Sequence, residues 1–446
     1  MELNEVIKLK IDSITYEGNG SGTFEGETVF VPFTAPGDVV EVRVKKIGDY
    51  VDAELIKILE KSKTRIEVKC PYFSKCGSCD FLHINYESQL EEKRKIIEYV
   101  FKKNKINFTK VEDVIKSPSN FNYRVRSKFK GEIDTSLILG FNKQKSHKTI
   151  DIKECPLLLE SINQIYLKFR NSLDEKLKQS KKDRLHIDAQ SFELEVFQSN
   201  SDSFLVLNIS QKSLEFFREF MNNFTNKNPN ILGYSLKNNV GKELYKSNNI
   251  TFSYDINSLN LENNYKFNYD ENCFTQVNLE VNELIINKIQ ETIKDFALKH
   301  ENMKILDLYS GIGNIGISVS NYANKVLCVE ENPHSAKFGN ENVKLNKVNN
   351  VEFLNKSSEI VVKDILRKND RFDIVILDPP REGVGSLAKE IPKINPKKII
   401  YMSCDARTLS KDLKNIQDAG YRIKSINPFD MFPQTSHVEI LVEMER

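Results

Sequence analysis

Tryptophan is absent from the 446-residue sequence, and so is any run of about 18 apolar residues. We therefore predict no membrane-spanning helix. The N-terminus is acidic and alternates early between polar and apolar residues, unlike a secretory signal, so we expect a cytoplasmic protein. Without such a signal, seven cysteines argue against a disulfide framework. A net charge of only +2 gives no global argument for a nucleic-acid partner, and any basic surface must be local.

The order of sequence patterns predicts three domains. Residues 1–60 combine alternating apolar runs with glycine and proline turns, which predicts a small OB-like β-barrel. Residues 61–265 contain a cysteine cluster, a charged helix near 86–104 and alternating strand patterns, which predict a central α+β domain. That domain is discontinuous if the helix near 86–104 packs on the third domain.

From residue 266 onward, buried-strand patterns alternate with helical patterns. The strand-length runs are 304–308, 325–330, 372–377 and 398–402, and the helical runs are 281–298, 333–345 and 409–419. Such alternation predicts a doubly wound, Rossmann-like α/β sheet over residues 266–446.

A row of basic residues lies within the central domain. Alternation places Arg124, Arg126, Lys128 and Lys130 on one face of a predicted strand. The row suits contacts to RNA phosphates. A solvated strand face with no partner is the alternative interpretation.

A glycine turn follows the first predicted strand of the α/β domain, with the sequence DLYSGIGNIG at 307–316. Glycines let the backbone approach a nucleotide-like ligand closely, and G-x-G-x-x-G alone would equally suit a dinucleotide. Asp307 before the turn favours S-adenosylmethionine, because a carboxylate suits its cationic end and repels pyrophosphate. Glu330 closes the next strand, where it can accept ribose hydroxyls, and Asp378 opens the strand-end sequence DPPR.

A cysteine and an acid are placed for covalent catalysis. Cys404 ends a predicted strand at the edge of the cofactor crevice, and Glu439 enters the last strand. A thiolate that adds to an electron-poor ring activates it, and a base must later remove a proton. The alternative interpretations are a buried, inert Cys404 and a surface Glu439.

Four other cysteines have the spacing of a metal centre. Cys70-x5-Cys76-x2-Cys79 is followed much later by Cys155, which precedes a proline. Zinc sites usually use two close pairs, whereas four cysteines with a following proline are typical of iron–sulfur centres. The spacing between the first two cysteines differs from that of radical enzymes that use S-adenosylmethionine. We therefore exclude that class of enzyme.

Five motifs together resemble the RNA uracil-5-methyltransferases. They are FTQVN at 274–278, the glycine turn at 307–314, DPPR at 378–381, SCDARTL at 403–409 and HVE at 437–439. The resemblance implies contacts to S-adenosylmethionine from Gln276, Tyr309, Asn314, Glu330 and Asp378. It implies Cys404 as the nucleophile and Glu439 as the base. Asp405 and Ala406 depart from the family, which commonly has asparagine and proline after the nucleophile.

Further segments resemble the ribosomal-RNA branch of that family, which carries an N-terminal TRAM domain and a [4Fe-4S] cluster. They lie at 70–79, 122–124, 139–141 and 151–156. The resemblance implies an iron–sulfur cluster on Cys70, Cys76, Cys79 and Cys155, and a target uridine in 23S ribosomal RNA. We expect a monomer that acts on an unpaired or flipped-out base.

Several rival functions remain at the level of sequence. Cytosine-5 RNA methyltransferases place a cysteine where this chain has Arg381, and adenine amino-methyltransferases place an aromatic there, so both are disfavoured. A transfer-RNA target, a non-enzymatic RNA-binding or ribosome-assembly protein, and a nicotinamide-dependent oxidoreductase are the remaining alternatives.

Overall fold

The computed structural model describes residues 1–182, 191–199, 202–257 and 264–446. Residues 183–190, 200–201 and 258–263, all within the predicted central domain, lie outside these ranges. Among the described residues, no helix has the length and apolar character needed to cross a membrane. The described strands form three larger sheets and one two-stranded hairpin.

Alternating apolar side chains build the N-terminal sheet, whose strand order is β1-β5-β6-β4-β3-β2. Its strands are β1 (Val6–Lys10), β2 (Ser13–Ile14), β3 (Gly20–Phe24), β4 (Glu27–Val31), β5 (Val39–Ile47) and β6 (Val51–Glu60). Val40, Val42 and Val44 on one face of β5 are fully buried. At Gly22 a Cβ atom would collide with the backbone of Lys10, so glycine lets β3 pack directly on the end of β1.

The cysteine-bearing segment leads into helix α1 (Tyr86–Lys103). The Asn85 side chain accepts a hydrogen bond of 3.0 Å from the Ser88 N–H and begins the helix. Apolar side chains of α1 are buried in one core with those of the C-terminal sheet and its helices. Lys93 on the same helix is also fully buried, with its Nζ 2.5 Å from Asp430 Oδ1. Helix α1 is therefore packed on the C-terminal part of the chain.

The middle of the chain forms a seven-stranded sheet of order β13-β12-β11-β10-β7-β8-β9 and a hairpin of β14 and β15. Its strands are β7 (Arg126–Ile133), β8 (Leu137–Asn142), β9 (Thr149–Asp151), β10 (Ser191–Ser199), β11 (Asp202–Asn208), β12 (Ile231–Lys237), β13 (Glu243–Lys246), β14 (Phe252–Asn257) and β15 (Asn264–Tyr269). Helices α2 (Glu160–Lys182) and α3 (Leu214–Asn226) bury aromatic and aliphatic side chains against the sheet.

The C-terminal sheet has the order β18-β17-β16-β19-β20-β22-β21. Its strands are β16 (Lys304–Leu308), β17 (Lys325–Glu330), β18 (Val351–Asn355), β19 (Ile374–Leu377), β20 (Lys398–Ser403), β21 (Arg422–Phe429) and β22 (Glu439–Glu445). Its helices are α4 (Leu279–Ala297), α5 (Asn314–Ser318), α6 (Pro333–Leu345), α7 (Ser358–Lys368), α8 (Leu387–Ile394) and α9 (Ala406–Asp418). Strands β16 to β20 pair in parallel, and the strand order reverses between β16 and β19. Such a switch point opens a crevice at the carboxyl ends of the strands.

The predicted α/β fold is confirmed, and two details differ. Helices α2 and α3 lie in a stretch that the sequence pattern indicated as strands and turns. Arg124 precedes β7 instead of joining its face, and acidic side chains of β10 pair with the next two basic residues. The Nε atom of Arg126 donates to Glu195 at 2.6 Å, and Lys128 lies 3.7 Å from Glu193. This pairing neutralises much of the basic row predicted to meet phosphates.

Candidate active site

The glycine turn after β16 forms an open cradle at the crevice. Gly311 and Gly313 have φ angles of +56° and +90°, which side chains rarely adopt. A Cβ atom at Gly311 would meet nothing within 4 Å, so that part of the turn borders open space. Tyr309 also has a positive φ of 64°, a conformation that costs free energy in a non-glycine residue and is concentrated at functional sites. Burial raises the pKa of the Tyr309 hydroxyl to about 12.

Two carboxylates hold this turn in place. Asp307 is fully buried, and its Oδ2 accepts a 3.0 Å hydrogen bond from the Gly316 N–H. Its Oδ1 is buried and has no partner in the described part of the chain. Glu330 accepts hydrogen bonds from the Gly311 N–H at 2.8 Å and the Asn332 N–H at 2.7 Å. Because each carboxylate oxygen has two lone pairs, Glu330 retains capacity for further donors.

Asp378 follows β19 and lies between the glycine turn and the predicted catalytic pair. It keeps some accessible surface, yet protein atoms surround it closely enough that burial raises its pKa to about 7. Burial, and next the charge of Asp378, raise the pKa of Asp307 to about 8. A site in which acids are forced toward neutrality favours a cationic ligand, since a positive charge would let them ionise.

Cys404 and Glu439 are brought together by an antiparallel strand pair. Ser403 on β20 lies opposite Ile440 on β22, so the next position of the ladder sets Cys404 against Glu439. Burial and then the Glu439 charge raise the pKa of the Cys404 thiol to about 11, whereas Arg381 acts in the opposite direction. Glu439 is 4% exposed, and burial raises its pKa well above the usual range.

The residues after Cys404 begin helix α9. The Asp405 side chain accepts hydrogen bonds from the Arg407 N–H at 2.8 Å and the Thr408 N–H at 3.2 Å. Burial opposes ionisation, but these hydrogen bonds hold the pKa of Asp405 below its usual value. Aspartate therefore serves as an effective helix cap where the family commonly has asparagine.

Gln276 and Asn314, the remaining residues predicted to contact S-adenosylmethionine, differ in how many hydrogen bonds they already make within the protein. Gln276 is half-buried in the loop before α4. Asn314, in contrast, already makes internal hydrogen bonds. Its Oδ1 accepts from the Tyr254 hydroxyl at 2.9 Å and from Asn282 Nδ2 at 3.2 Å, while its Nδ2 donates to Asn282 at 2.9 Å. These bonds tie the start of α5 to α4 and β14.

Sequence reasoning missed Arg381 as a member of the site. Its side chain is exposed, and its positive charge lowers the pKa of both Cys404 and Glu439 against the larger effect of burial. A signal was present in the sequence, because Arg381 follows Asp378 by three positions at the same strand end.

The four cysteines predicted as metal ligands line one small cavity. Cys70, Cys76 and Cys79 come from one loop, and Cys155 approaches from beyond β9. The rest of the lining is mostly apolar or aromatic, with two polar side chains: Tyr72, Phe73, Leu82, Phe141, Ile152 and Pro156, with Ser78 and Glu154. Burial raises the pKa of Cys79 well above its usual value and that of Cys155 to about 11, and the nearby Arg124 opposes both shifts.

The donor set of this cavity suits an iron–sulfur cluster. Four cysteine thiols are the usual ligands of such a cluster, and the four here are half-buried. The Arg124 Nε is buried without a partner in the described part of the chain, so a cationic N–H is left to complement a negatively charged group. Over the described ranges, no three histidine, cysteine or acidic side chains are arranged to hold a single metal ion.

Family comparisons agree with the geometry of the crevice. The family described as tRNA (uracil-5-)-methyltransferase matches residues 85–446, and the TRAM domain family matches residues 2–62. The chain belongs to the first of these families. The family predicted from the motifs is thereby confirmed, and the chain is an RNA methyltransferase that depends on S-adenosylmethionine. The predicted N-terminal TRAM domain is confirmed as well.

Relatives within the family span nearly the whole chain. An uncharacterized RNA methyltransferase of Halalkalibacterium halodurans is 27% identical, with 99% of this chain and 97% of that one covered. One from Caldanaerobacter subterraneus is 29% identical, with coverage of 100% and 99%. The crystal structure of Pyrococcus abyssi tRNA (uracil-54, C5)-methyltransferase with S-adenosyl-L-homocysteine matches with a TM-score of 0.74 and 24% identity, covering 98% of this chain and 100% of that one. This last match supports the fold.

Replacing Glu439 by glutamine is expected to lower the pKa of the Cys404 thiol from about 11, because the Glu439 charge helps to raise it. At a fixed alkaline pH, Cys404 should then react faster with iodoacetamide. The rate is measured across pH by mass spectrometry of the peptide that contains Cys404. Glu445→Gln, at the exposed end of the same strand, is the matched control. Identical pH profiles in both variants would contradict the inferred proximity of Cys404 and Glu439.

Proposed function

We propose that the chain methylates carbon 5 of a uridine in 23S ribosomal RNA, with Cys404 as nucleophile and Glu439 as base. The observation that carries this proposal is the β20–β22 pairing, which sets the two residues side by side next to Asp378. An inert, isolated Cys404 would have no reason to face a buried acid at the open edge of a cofactor crevice.

The chemistry follows from the weak nucleophilicity of uracil carbon 5. The Cys404 thiolate adds to carbon 6, and carbon 5 becomes enolate-like. S-adenosylmethionine, when bound, supplies an electrophilic methyl group. Glu439 then accepts the proton from carbon 5, the electron pair of that bond restores the ring double bond, and the Cys404 thiolate departs.

The surroundings of the pair suit these two steps. Arg381 favours the thiolate that must form first. Burial of Glu439 raises its proton affinity, so its carboxylate becomes a strong acceptor once the ring has been methylated. Both roles need the deprotonated side chain, and Arg381 favours that form of Cys404 and of Glu439.

Residues around the glycine turn are proposed to hold the cofactor. Glu330 would accept ribose hydroxyls, and Tyr309, Gln276 and Asp378 would complete the contacts. The internal hydrogen bonds of Asn314 support a role in fixing the turn, beside any direct contact.

Cys404→Ala is expected to abolish methyl transfer, since no other group can activate the ring. RNA that contains 5-fluorouridine should trap a covalent adduct on the unmodified protein, because fluorine cannot leave as the proton does. The adduct is measured as a band that survives denaturing electrophoresis, and its site is mapped by mass spectrometry. Cys273→Ala, a buried cysteine whose Sγ lies 3.4 Å from Asp270, is the control. Full methylation by Cys404→Ala would end the catalytic assignment.

Ribosomal RNA is proposed as the substrate because the TRAM domain and the cysteine cluster accompany that branch of the family. Transfer RNA is the second candidate, since the matching family is described by that substrate. Deletion of the gene should remove a 5-methyluridine from 23S ribosomal RNA and leave transfer RNA unchanged. Nucleoside mass spectrometry of both RNA fractions measures this, and loss from transfer RNA alone would overturn the ribosomal assignment.

Cys70, Cys76, Cys79 and Cys155 are proposed to hold a [4Fe-4S] cluster. A zinc ion needs its thiolates about 2.3 Å from one point, whereas a cluster distributes them over separate iron atoms. The four cysteines line one small cavity, which supports a centre that they share.

Anaerobically purified protein should be brown and contain about four iron atoms per chain, because each cysteine ligates one iron of the cluster. Elemental analysis and the visible absorption spectrum measure this. The Cys155→Ser variant should lose iron, whereas Cys328→Ser, a buried cysteine of the C-terminal sheet, should keep it. Colourless protein with one zinc ion would contradict the cluster.

The division of the chain into residues 1–60, 61–265 and 266–446 is also a proposal, as are its monomeric state and its location in the cytoplasm. The separate N-terminal sheet supports the first boundary. The second boundary is not supported, because β15 (Asn264–Tyr269) crosses it and the β14–β15 hairpin packs in the core of the C-terminal sheet. The packing of α1 supports a discontinuous middle domain.

A further inference from the structure

The loop that leads into Glu439 contains a backbone conformation that side chains seldom adopt. Gln434 has a φ of 71° and is 2% exposed. A buried residue keeps such a conformation only when its surroundings over-determine it. Gln434 lies five positions before Glu439, so its placement affects where the acid begins β22.

Helix α1 holds Gln434 through a reciprocal pair of hydrogen bonds. The Gln89 Oε1 accepts from the Gln434 N–H at 3.1 Å, and the Gln89 Nε2 donates to the Gln434 Oε1 at 2.9 Å. The Gln434 Nε2 donates in turn to the backbone oxygen of Asn120 at 3.2 Å. The two bonds between Gln89 and Gln434 are buried, so breaking either would leave a buried polar group unsatisfied.

The cysteine loop holds the same residue from the other side. The backbone N–H groups of Asp80 and Phe81 both donate to the backbone oxygen of Gln434, at 3.2 and 3.0 Å. The Asp80 Oδ2 accepts from the Ser436 N–H at 3.1 Å. Asp80 directly follows Cys79, so the segment that carries three cysteines is bonded to the segment that carries Glu439.

Two further contacts fix the start of the loop. The buried Lys93 Nζ donates to Asp430 and, at 3.1 Å, to the backbone oxygen of Phe432. The Tyr123 hydroxyl donates to the Pro433 oxygen at 3.1 Å. Between β21 and β22, the chain is therefore held by groups that are remote in sequence.

We propose that Gln434 is a positioning residue for Glu439, and that Gln89 and Asp80 couple helix α1 and the cysteine loop to proton abstraction. The inference rests on the proposed function, in which Glu439 removes the proton from carbon 5. Cys404 stands outside this set of hydrogen bonds, because β20 and α9 position it. Loss of these hydrogen bonds should therefore slow proton abstraction, which follows methyl transfer, more than the steps that precede it.

The kinetic signature is a methylated covalent adduct. Gln89→Ala removes both side-chain bonds to Gln434 without altering the catalytic loop. Asp80→Ala removes the acceptor for Ser436. A displacement of the base by about 1 Å can slow a reaction by about a hundredfold. We expect each variant to lose at least about tenfold in turnover and to accumulate adduct that survives denaturation.

The experiment uses the full-length protein, RNA substrate and S-adenosylmethionine with a labelled methyl group. Turnover and the labelled adduct fraction are followed in single-turnover time courses. Gln417→Ala is the matched control, because Gln417 makes the same reciprocal pair of hydrogen bonds with the backbone of Asn107, remote from Glu439. Asp80→Asn retains an acceptor oxygen and should restore turnover, which a general loss of folding would not allow.

Glu439→Gln separates the failure of this inference from that of the proposed function. If Glu439→Gln turns over normally without adduct, the proposed role of Glu439 is wrong. If Glu439→Gln accumulates adduct while Gln89→Ala and Asp80→Ala behave like Gln417→Ala, the positioning role alone is overturned. As a measurement independent of activity, the N–H groups of Gln434 and Ser436 should exchange with deuterium faster in Cys79→Ser, and unchanged exchange would refute the coupling to the cysteine loop.

Discussion

The pairing of β22 with β20 brings an acid to an edge of the sheet that parallel strands alone could not supply. In a parallel sheet every strand ends at the crevice and begins at the opposite edge. Because β22 runs against β20, its first residue, Glu439, lies level with the residue after the last of β20, Cys404. The glycine turn after β16 and Asp378 after β19 reach the same edge by the ordinary parallel arrangement. Because β22 is reversed, Glu439 lies at the same edge of the sheet as Cys404, Asp378 and the glycine turn.

Burial is the common physical cause of the electrostatics at that edge. It raises the pKa of Asp307, Asp378 and Glu439, and the charge of Asp378 adds to the rise at the other two. Arg381 offsets this effect at Cys404 and Glu439, and its side chain is exposed. A cationic methyl donor complements such an arrangement, whereas a pyrophosphate would add negative charge to it. The electrostatics therefore agree with the cofactor of the family.

The sequence allowed the C-terminal fold to be predicted closely, because its strands and helices have strong local patterns. The runs at 304–308, 325–330 and 333–345 match β16, β17 and α6. Helices α2 and α3 were missed because their apolar residues occur among strand-like segments. The contacts of Gln434 could not have been predicted, since Gln89 lies 345 positions away and only tertiary packing brings the two together. The hydrogen bonds of Asn314 to Tyr254 and Asn282 could not be predicted for the same reason.

The segments next to Cys404 and Glu439, the proposed catalytic pair, both contact the first part of the chain. Asp80 and Gln89 hold the segment before Glu439, and the barrel reaches the segment after Cys404. There the Arg407 guanidinium lies 4.2 Å from the ring centre of Tyr16, and its Nη1 lies 3.3 Å from Glu17.

Tyr16 also helps to hold the pKa of Asp405 below its usual value, and Asp405 caps α9 directly after Cys404. A charged cap in place of the family's asparagine is stable here because Arg407 and Tyr16 are within reach of it. The catalytic sheet supplies the reactive groups, but elements outside the sheet determine the geometry on either side of them. A change in the barrel or in the cysteine loop therefore acts on the active site through contacts, with no need for a direct contact to the substrate.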